Sequence, residues 1–128
     1  VQFSLIDTRP LDGVATVCAE HNVKLLTYGT LCGGFLADKW IGQPEPELYS
    51  GSLNPSQRKA SFQSLDMIFK AWGTWDLFQD LLRVLLGIGD RHGGLSVSNV
   101  ATRWVLDHSM VGAVTIGKCT PFHDSHQR

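Results

Sequence analysis

The stretch of this sequence best suited to chemistry is a glycine-rich turn at residues 28–34, which reads YGTLCGG. It follows an apolar run at 23–27 that is typical of a short buried strand. Where helices join parallel strands, ligands bind at the carboxyl ends of the strands, and the N–H groups of a glycine-rich loop are open to phosphate. The ring of Tyr28 adds a flat apolar face beside those donors. The pattern favours a nucleotide with an aromatic ring, and its alternative explanation is an ordinary loop after a strand.

Two further groups of residues are candidates for metal binding or nucleophilic chemistry. His123 and His126, with Cys119 and Asp124 nearby, offer metal ligands, but their spacing is not a known zinc pattern and a polar tail explains them as well. Cys32, inside the glycine-rich turn, would be reactive if neighbouring N–H groups lowered its pKa. No histidine lies near it in sequence to act as a base. We therefore predict neither a metal site nor a catalytic thiol.

The other polar candidates also have structural explanations. Lys39 either holds a phosphate or lies on the surface without a role. His92 and His108 follow predicted helices, where a cationic side chain interacts favourably with the helix dipole, so we expect both to act as caps. Gly87 and Gly89 match part of a dinucleotide fingerprint, but they lie late in an amphipathic helix that follows no strand. We reject them as a phosphate loop.

The elements that would position these residues alternate between strand and helix patterns. A strand at 1–6 and the strand at 23–27 are joined by a helix that begins at Val14 and is stopped by Asn22 in a left-handed conformation, so the strands should be parallel with a right-handed crossover. A long loop at 40–55 leaves the second strand and is either a lid or an insertion with no role. Further patterns predict a helix at 60–72, a helix from the N-cap Thr74 to Gly93, a helix after the N-cap Ser96, and a last strand at 111–116.

Three parallel strands are too few for a complete fold. They leave two unpaired edges, and the helices between them do not suffice to cover both faces of the sheet. A barrel of eight strand–helix units needs about 250 residues, whereas this chain has 128. We therefore expect an α/β chain that forms part of a larger fold.

Composition excludes several classes of protein. The chain is 43% hydrophobic with a net charge of −1, whereas proteins that bind nucleic acid or acidic membranes need a basic surface. No apolar run approaches the roughly 18–20 residues that cross a bilayer, and the first residues lack the pattern of a signal peptide. The three cysteines are widely spaced and form no C-x-x-C pair, which favours free thiols in a reducing compartment. We predict a cytoplasmic protein.

Taken together, these stretches resemble the C-terminal part of a known family, the aldo-keto reductases. Members are (β/α)8 barrels that reduce carbonyl groups with NADPH. No single motif is specific, but the set as a whole is. The matching stretches are 2–5 (QFSL), similar to the sixth strand; 28–36 (YGTLCGGFL) with Asp38 and Lys39, similar to the loop after the seventh strand; 97–106, similar to the helix before the eighth strand; and 111–117 (VGAVTIG), similar to that strand and the glycine after it.

The resemblance implies a partial (β/α)8 TIM barrel, roughly strands six to eight with their helices, at 1–117. The tail at 118–128 departs from the family pattern, and disorder and a read-through intron are two explanations for it. The implied cofactor is NADP(H), and the implied substrate is a small-molecule carbonyl compound. The implied cofactor residues are Tyr28, stacked on the nicotinamide; Gly29, Leu31 and Gly33, along the pyrophosphate; Lys39, on a phosphate; and Gly117, which would admit the adenosine 2′-phosphate.

The resemblance also implies where catalysis would reside. The family's catalytic Asp, Tyr, Lys and His belong to the first half of the barrel, and no residue here matches them; neither Tyr28 nor Tyr49 is the catalytic Tyr. The Gln that contacts the nicotinamide amide is expected just before Val1. We therefore expect a truncated reductase that has part of the cofactor site and no turnover by itself. The alternative is a non-catalytic remnant that acts as an interaction module through its open sheet edges.

Overall fold

The fold is described by a computed structural model for residues 1–46, 66 and 72–117. Much of the predicted loop at 40–55, with Tyr49, lies outside the described residues, as does the tail at 118–128. So does the predicted helix at 60–72, apart from Asp66, which is helical, and Trp72. The described elements are α1 (Val14–Glu20), β1 (Leu25–Thr27), α2 (Trp75–Arg91), α3 (Val97–Leu106) and β2 (Val111–Val114), with 3-10 turns at Arg9–Leu11, Cys32–Gly34 and Asp38–Trp40.

The strands β1 and β2 lie side by side and run parallel. Leu25 is opposite Val111 and Thr27 is opposite Val114, and the register shifts between them so that Gly112 forms a bulge. Both strands are shorter than the sequence predicts: β1 begins two residues later than expected, and β2 ends two residues earlier. The parallel direction of β1 and β2 agrees with the expected parallel sheet.

The N-terminal residues lie along the other side of β1. The N–H of Tyr28 donates to the carbonyl of Val1 at 2.9 Å, and the N–H of Phe3 donates to the carbonyl of Tyr28 at 3.2 Å, which makes a parallel bridge. The full strand predicted at 1–6 is wrong. Ser4 and Asp7 exchange backbone hydrogen bonds of 3.1 and 3.2 Å, so the chain turns back on itself after Phe3 and the extended run ends there.

The helices begin and end at residues that the sequence identifies. Thr74 accepts the N–H of Leu77 at 3.3 Å and starts α2, and Ser96 accepts the N–H of Asn99 at 3.2 Å and starts α3. Both predicted N-caps are confirmed. The helix α1 ends before Asn22, whose φ of 51° is left-handed and cannot continue a right-handed helix.

Two hydrophobic clusters hold these elements together. The smaller one lies behind the sheet, where α1 and α3 cover it; its buried members are Phe3, Cys18, Val105 and Met110. The larger one joins α2 and α3 to the turn that follows β1. Its buried members include Cys32, Phe35 and Leu36 from that turn, Trp75, Phe78, Leu82 and Leu85 from α2, and Val97 and Ala101 from α3.

Only one face of the sheet is covered in the described part of the chain. Thr27 points to the helices and is buried, while Leu26 and Tyr28 point the other way and are 67% and 54% exposed. Successive side chains of a strand alternate between faces, so this difference marks a covered and an uncovered face. Parallel sheets are normally covered on both. The uncovered face agrees with the expectation that these elements are part of a larger fold.

The segment after α2 packs closely against this helix at Gly89. A Cβ added there would lie 1.9 Å from the carbonyl oxygen of Leu95, whereas a Cβ at Gly87 would meet nothing closer than an arginine nitrogen at 3.9 Å. We predict that Gly89→Ala lowers the free energy of unfolding by about 1–3 kcal/mol or more, while Gly87→Ala raises it by roughly 0.5–1 kcal/mol. Urea unfolding followed by circular dichroism measures both. Equal stability of the two variants would contradict the described packing of 93–95 on α2.

Candidate cofactor site

The turn that follows β1 is held in a conformation that favours glycine. Gly29, Gly33 and Gly34 have φ angles of 70°, 65° and 90°, and Cys32 shares the left-handed region at 50°. The N–H of Cys32 donates to the carbonyl of Gly29 at 2.9 Å, and the N–H of Gly34 donates to the carbonyl of Leu31 at 2.9 Å. The backbone therefore folds into two consecutive tight turns at the carboxyl end of a parallel strand.

Four backbone N–H groups of this turn have no acceptor among the described residues. They belong to Gly29, Thr30, Leu31 and Gly33, because the hydrogen bonds of the turn use the N–H groups of Cys32, Gly34 and the residues after them. Thr30 is buried. Gly33 is exposed, and Gly29 and Leu31 are half-buried. Exposed N–H groups in a left-handed turn form a concave site for anions. Gly29, Leu31 and Gly33, three of these four, are the residues that the resemblance assigns to the pyrophosphate.

Tyr28 and Gln2 stand at the entrance of the turn. Tyr28 is the last residue of the extended run and faces solvent on the uncovered side of the sheet. A Cβ at Gly29 would lie 3.1 Å from the Cγ of Gln2, so the glycine leaves room for that side chain. Gln2 was not singled out by the sequence analysis. Only the parallel pairing of the N-terminal residues with β1 brings its side chain to the turn.

Lys39 reaches the same region through its neighbour in the chain. Its Nζ lies 5.5 Å from the ring centroid of Trp40, within the range of a cation–π interaction. The indole of Trp40 packs against Phe35 and donates its Nε1–H to the carbonyl of Gly34 at 2.9 Å. The ammonium group is therefore placed relative to the turn by a partly buried aromatic residue, while Lys39 itself is exposed.

Side chains from α2 and α3 fix the segment that carries Lys39. Asp38 accepts the N–H of Val97 at 3.2 Å, and Ser98 donates to the carbonyl of Leu36 at 2.8 Å. The buried Gln79 accepts the N–H of Gly42 at 2.8 Å and donates to the carbonyl of Trp40 at 2.9 Å. The turn and the residues after it thus rest on the first turns of both helices.

A buried carboxylate lies beside the turn and is paired with an exposed arginine. The side chain of Asp7 is 2% exposed and that of Arg9 is 77% exposed, and Arg9 donates from Nε and Nη2 to the two carboxylate oxygens at 2.7 Å each. Hydrogen bonds from Arg9 lower the pKa of Asp7, against the effect of burial. The hydrogen bond to Asp7 and the negative charge of Asp7 raise the pKa of Arg9. The sequence analysis missed this pair.

The other candidate residues have structural roles or lie outside the described part. His108 places Nδ1 2.9 Å from the carbonyl oxygen of Trp104, near the end of α3, so its predicted cap is confirmed. His92 lies at the C-cap position of α2, where its backbone N–H donates to the carbonyl of Gly89, and capping by its side chain stays a prediction. No described atom lies within 4 Å of a Cβ added to Gly117, so the described structure offers no steric reason for glycine there. Among the described residues no group of His, Cys, Asp and Glu could hold a metal ion. The predicted tail candidates, His123 and His126, are not described.

Cys32 is built into the core and has none of the properties of a reactive thiol. Burial raises its pKa to about 12, and Asp7 adds to the shift, while a weak hydrogen bond to the hydroxyl of Ser4 at 3.7 Å opposes it. A thiol of this kind stays protonated at neutral pH and is a poor nucleophile. The expectation that Cys32 is not catalytic agrees with this environment.

Comparison with known proteins identifies the family. A model of the aldo/keto reductase family matches residues 1–123. The chain belongs to this family. It is also 30% identical over 115 residues to flagellar radial spoke protein 5 of Chlamydomonas reinhardtii, in an alignment that covers 90% of this chain and 21% of that protein. The chain therefore spans about a fifth of the length of this relative.

Membership confirms the family that the sequence resembles, and the assignment to the C-terminal part of the barrel stays a prediction. Aldo/keto reductases are oxidoreductases with a (β/α)8 barrel, and the described residues form a small α/β arrangement with parallel strands that is compatible with a part of one. The family generally uses NAD(P)H. No helix in the described ranges is long and apolar enough to cross a membrane. The predicted cytoplasmic location remains a prediction.

We predict that Cys32 resists alkylation in the folded protein. With a pKa of about 12, only about one thiol in ten thousand is ionised at pH 8, and the side chain is also shielded from the reagent. Iodoacetamide labelling, read by peptide mass spectrometry, should leave the Cys32 peptide unmodified in buffer and modify it in 8 M urea. Rapid labelling of Cys32 without denaturant would show that the turn opens or that the thiol is activated.

Proposed function

We propose that this chain provides the nicotinamide- and pyrophosphate-binding part of the NADP(H) site in an aldo/keto reductase barrel. The protein would reduce an aldehyde or ketone to the alcohol. The observation that supports this most directly is that the backbone N–H groups of Gly29, Leu31 and Gly33 have no hydrogen-bond acceptor among the described residues. They lie at the carboxyl end of a parallel strand, which is where ligands bind in sheets of this kind.

The residues around the turn suit the different parts of such a cofactor. The exposed ring of Tyr28 offers an apolar face for stacking against the nicotinamide. The N–H groups of the turn would donate to the pyrophosphate oxygens, and Lys39, held by Trp40, would add a positive charge. Gly117 lies beyond the end of β2, on the far side of β1 from the N-terminal residues, and would lie near the adenosine 2′-phosphate.

The order of the strands supports a position late in the barrel. The N-terminal residues, β1 and β2 are spatial neighbours in their chain order, and all pair in parallel. The helices cover one face, as on the outside of a (β/α)8 barrel, and Leu26 and Tyr28 would then face its interior. We assign the N-terminal residues, β1 and β2 to strands six, seven and eight.

NADPH, when bound, supplies a hydride to the carbonyl carbon of the substrate. The residues of this chain would bind and orient the cofactor: Tyr28 would hold the nicotinamide ring in place and the turn would anchor its phosphates. The proton for the carbonyl oxygen would come from the family's catalytic Tyr, and no residue of this chain matches it. On this proposal the chain positions the cofactor and does not catalyse the reaction by itself.

Titration of the 128-residue chain with NADPH tests the proposal. We expect saturable binding, seen as a change in NADPH fluorescence, and about tenfold or greater weakening by Tyr28→Ala, since stacking on an aromatic side chain contributes roughly 1–3 kcal/mol. Lys39→Ala should weaken binding about threefold to tenfold and reduce its salt dependence. Arg83→Ala, which also removes an exposed positive charge but from α2, is the matched control and should bind as the parent does.

Absence of NADPH binding by a folded chain would contradict the proposal for this chain alone. Equal affinity of the Tyr28 and Lys39 variants would show that NADPH binds elsewhere. Circular dichroism of each variant separates a loss of binding from a loss of folding.

A second candidate function follows from the relative whose name places it in the flagellar radial spoke. This chain would then be an interaction module of the same family that uses its uncovered sheet face, with Leu26 at its centre, to associate with other polypeptide. Partner association that persists in Tyr28→Ala and Lys39→Ala, with no NADPH binding, would favour this function over the reductase.

A further inference from the structure

A buried carboxylate holds the guanidinium of Arg9 in one orientation. Nε and Nη2 of Arg9 donate to the two oxygens of Asp7 at 2.7 Å each. The side chain of Asp7 is 2% exposed and that of Arg9 is 77% exposed, so the negative end of the pair lies inside the protein and the positive end lies in solvent. A guanidinium has five N–H donors, and in the described part of the chain only the edge formed by Nε and Nη2 is paired. The donors of Nη1 stay available to a ligand.

A series of buried contacts places this ion pair beside the glycine-rich turn at 28–34. The hydroxyl of Ser4 accepts the backbone N–H of Asp7 at 3.1 Å, and the thiol of Cys32 lies 3.7 Å from the same hydroxyl. Thr30 donates its hydroxyl to the carbonyl of Phe3, the residue before Ser4, at 3.2 Å. Thr30 and Cys32 belong to the turn in which several backbone N–H groups have no acceptor among the described residues. The ion pair therefore adjoins that stretch of backbone.

Two exposed cations thus reach the turn from different parts of the chain. Lys39 belongs to the segment after the turn, where Trp40 contacts its ammonium group and donates to the carbonyl of Gly34. Arg9 belongs to the N-terminal segment, which pairs with the other side of β1. Each phosphate of a pyrophosphate carries a negative charge, so one lysine leaves the second phosphate without a cation. Arg9 is placed to supply the missing positive charge.

We propose that Arg9, oriented by Asp7, is a further residue of the cofactor site and binds the pyrophosphate of the dinucleotide together with the N–H groups of the turn. This inference rests on the proposed function. Guanidinium groups form charge-assisted hydrogen bonds with phosphate oxygens, and the N–H groups of a left-handed turn bind anions alongside them. Because Asp7 balances part of the charge and the guanidinium is exposed, we expect Arg9 to raise affinity about threefold to tenfold, not more.

Calorimetric titration of the 128-residue chain with three nucleotides tests the inference. ADP-ribose contains the pyrophosphate and lacks the nicotinamide, while NADH and NADPH differ only in the 2′-phosphate. We expect Arg9→Gln to weaken the binding of all three by the same factor, about threefold to tenfold. Tyr28→Ala should weaken the binding of NADH and NADPH and leave that of ADP-ribose unchanged. The two variants thus separate contact with the pyrophosphate from contact with the nicotinamide.

Further variants separate binding from stability. Arg9→Gln leaves the buried carboxylate of Asp7 without its cation, which costs stability. The double variant Asp7→Asn with Arg9→Gln removes both charges and should show the same loss of ADP-ribose binding. Arg103→Gln is the matched control, because Arg103 is 72% exposed and likewise paired with an aspartate, Asp107, but lies on α3. It should bind all three nucleotides as the parent does, and circular dichroism establishes that each variant is folded.

Two results would overturn the inference while NADPH binding that depends on Tyr28 leaves the cofactor proposal intact. The first is parent-like ADP-ribose affinity of the folded Arg9→Gln and double variants. The second is a loss confined to NADPH, which would assign Arg9 to the 2′-phosphate.

Titration with inorganic pyrophosphate separates this inference from the proposed function. If no nucleotide binds, while pyrophosphate binds the parent and binds both Arg9 variants more weakly, the cofactor proposal fails and the anion site at Arg9 stands. A folded chain that binds neither the nucleotides nor pyrophosphate would contradict both.

Discussion

The packing of Phe35 and Leu36 into the core is the interaction on which the candidate site depends. Both side chains are fully buried between α2 and α3. They directly follow the turn at 28–34, whose N–H groups at Gly29, Leu31 and Gly33 have no acceptor among the described residues. Burial of a Phe or Leu side chain contributes roughly 1.5–3 kcal/mol, which exceeds the cost of about 1–2 kcal/mol for a left-handed residue such as Cys32. The core can therefore hold the backbone of the turn in a conformation that leaves donors open to a ligand.

Hydrogen bonds from distant parts of the chain complete this arrangement. Gln79 joins α2 to the backbone of Trp40 and Gly42, and Asp38 joins the segment to the first residue of α3. In the described ranges no buried side-chain nitrogen or oxygen lacks a partner. A buried polar group without a partner costs about 1–3 kcal/mol, so each of these bonds also restricts where the segment can lie. Rigid placement of this kind is what a binding turn needs, because a ligand then does not have to order it.

The sheet is compatible with a chain that forms only part of the family's barrel. Thr27 is buried under helices while Leu26, its neighbour in β1, is largely exposed, so one face of the sheet lacks a cover in the described structure. In a (β/α)8 barrel that face is the packed interior. Flagellar radial spoke protein 5, which the chain matches over about a fifth of its length, shows that a segment of this kind occurs within a longer protein. Either the remaining strands of a barrel or a partner polypeptide would pack on this face.

Local physics explains what the sequence by itself determined. The N-caps Thr74 and Ser96 act on N–H groups three residues away, and the helices α2 and α3 follow from apolar spacing within a few turns. The glycine-rich turn after a short strand was recognisable for the same reason, and the family resemblance rested on such local stretches in order. The strand predicted at 1–6 was wrong because the backbone pairing of Ser4 with Asp7 ends it, and apolar spacing alone does not reveal that pairing.

Only the tertiary structure decided which of these residues meet. Gln2 lies against Gly29 because the N-terminal residues pair with β1, and the pKa of the Cys32 thiol is raised because its side chain is buried in the core. Asp7 and Arg9 are only two positions apart, yet the sequence does not show that Asp7 is buried and Arg9 is exposed. Burial and contact between segments arise from packing of the whole chain, and a pattern of neighbouring residues contains no direct record of them. The sequence therefore determined the elements and the family, whereas the packing decided which side chains reach the candidate site.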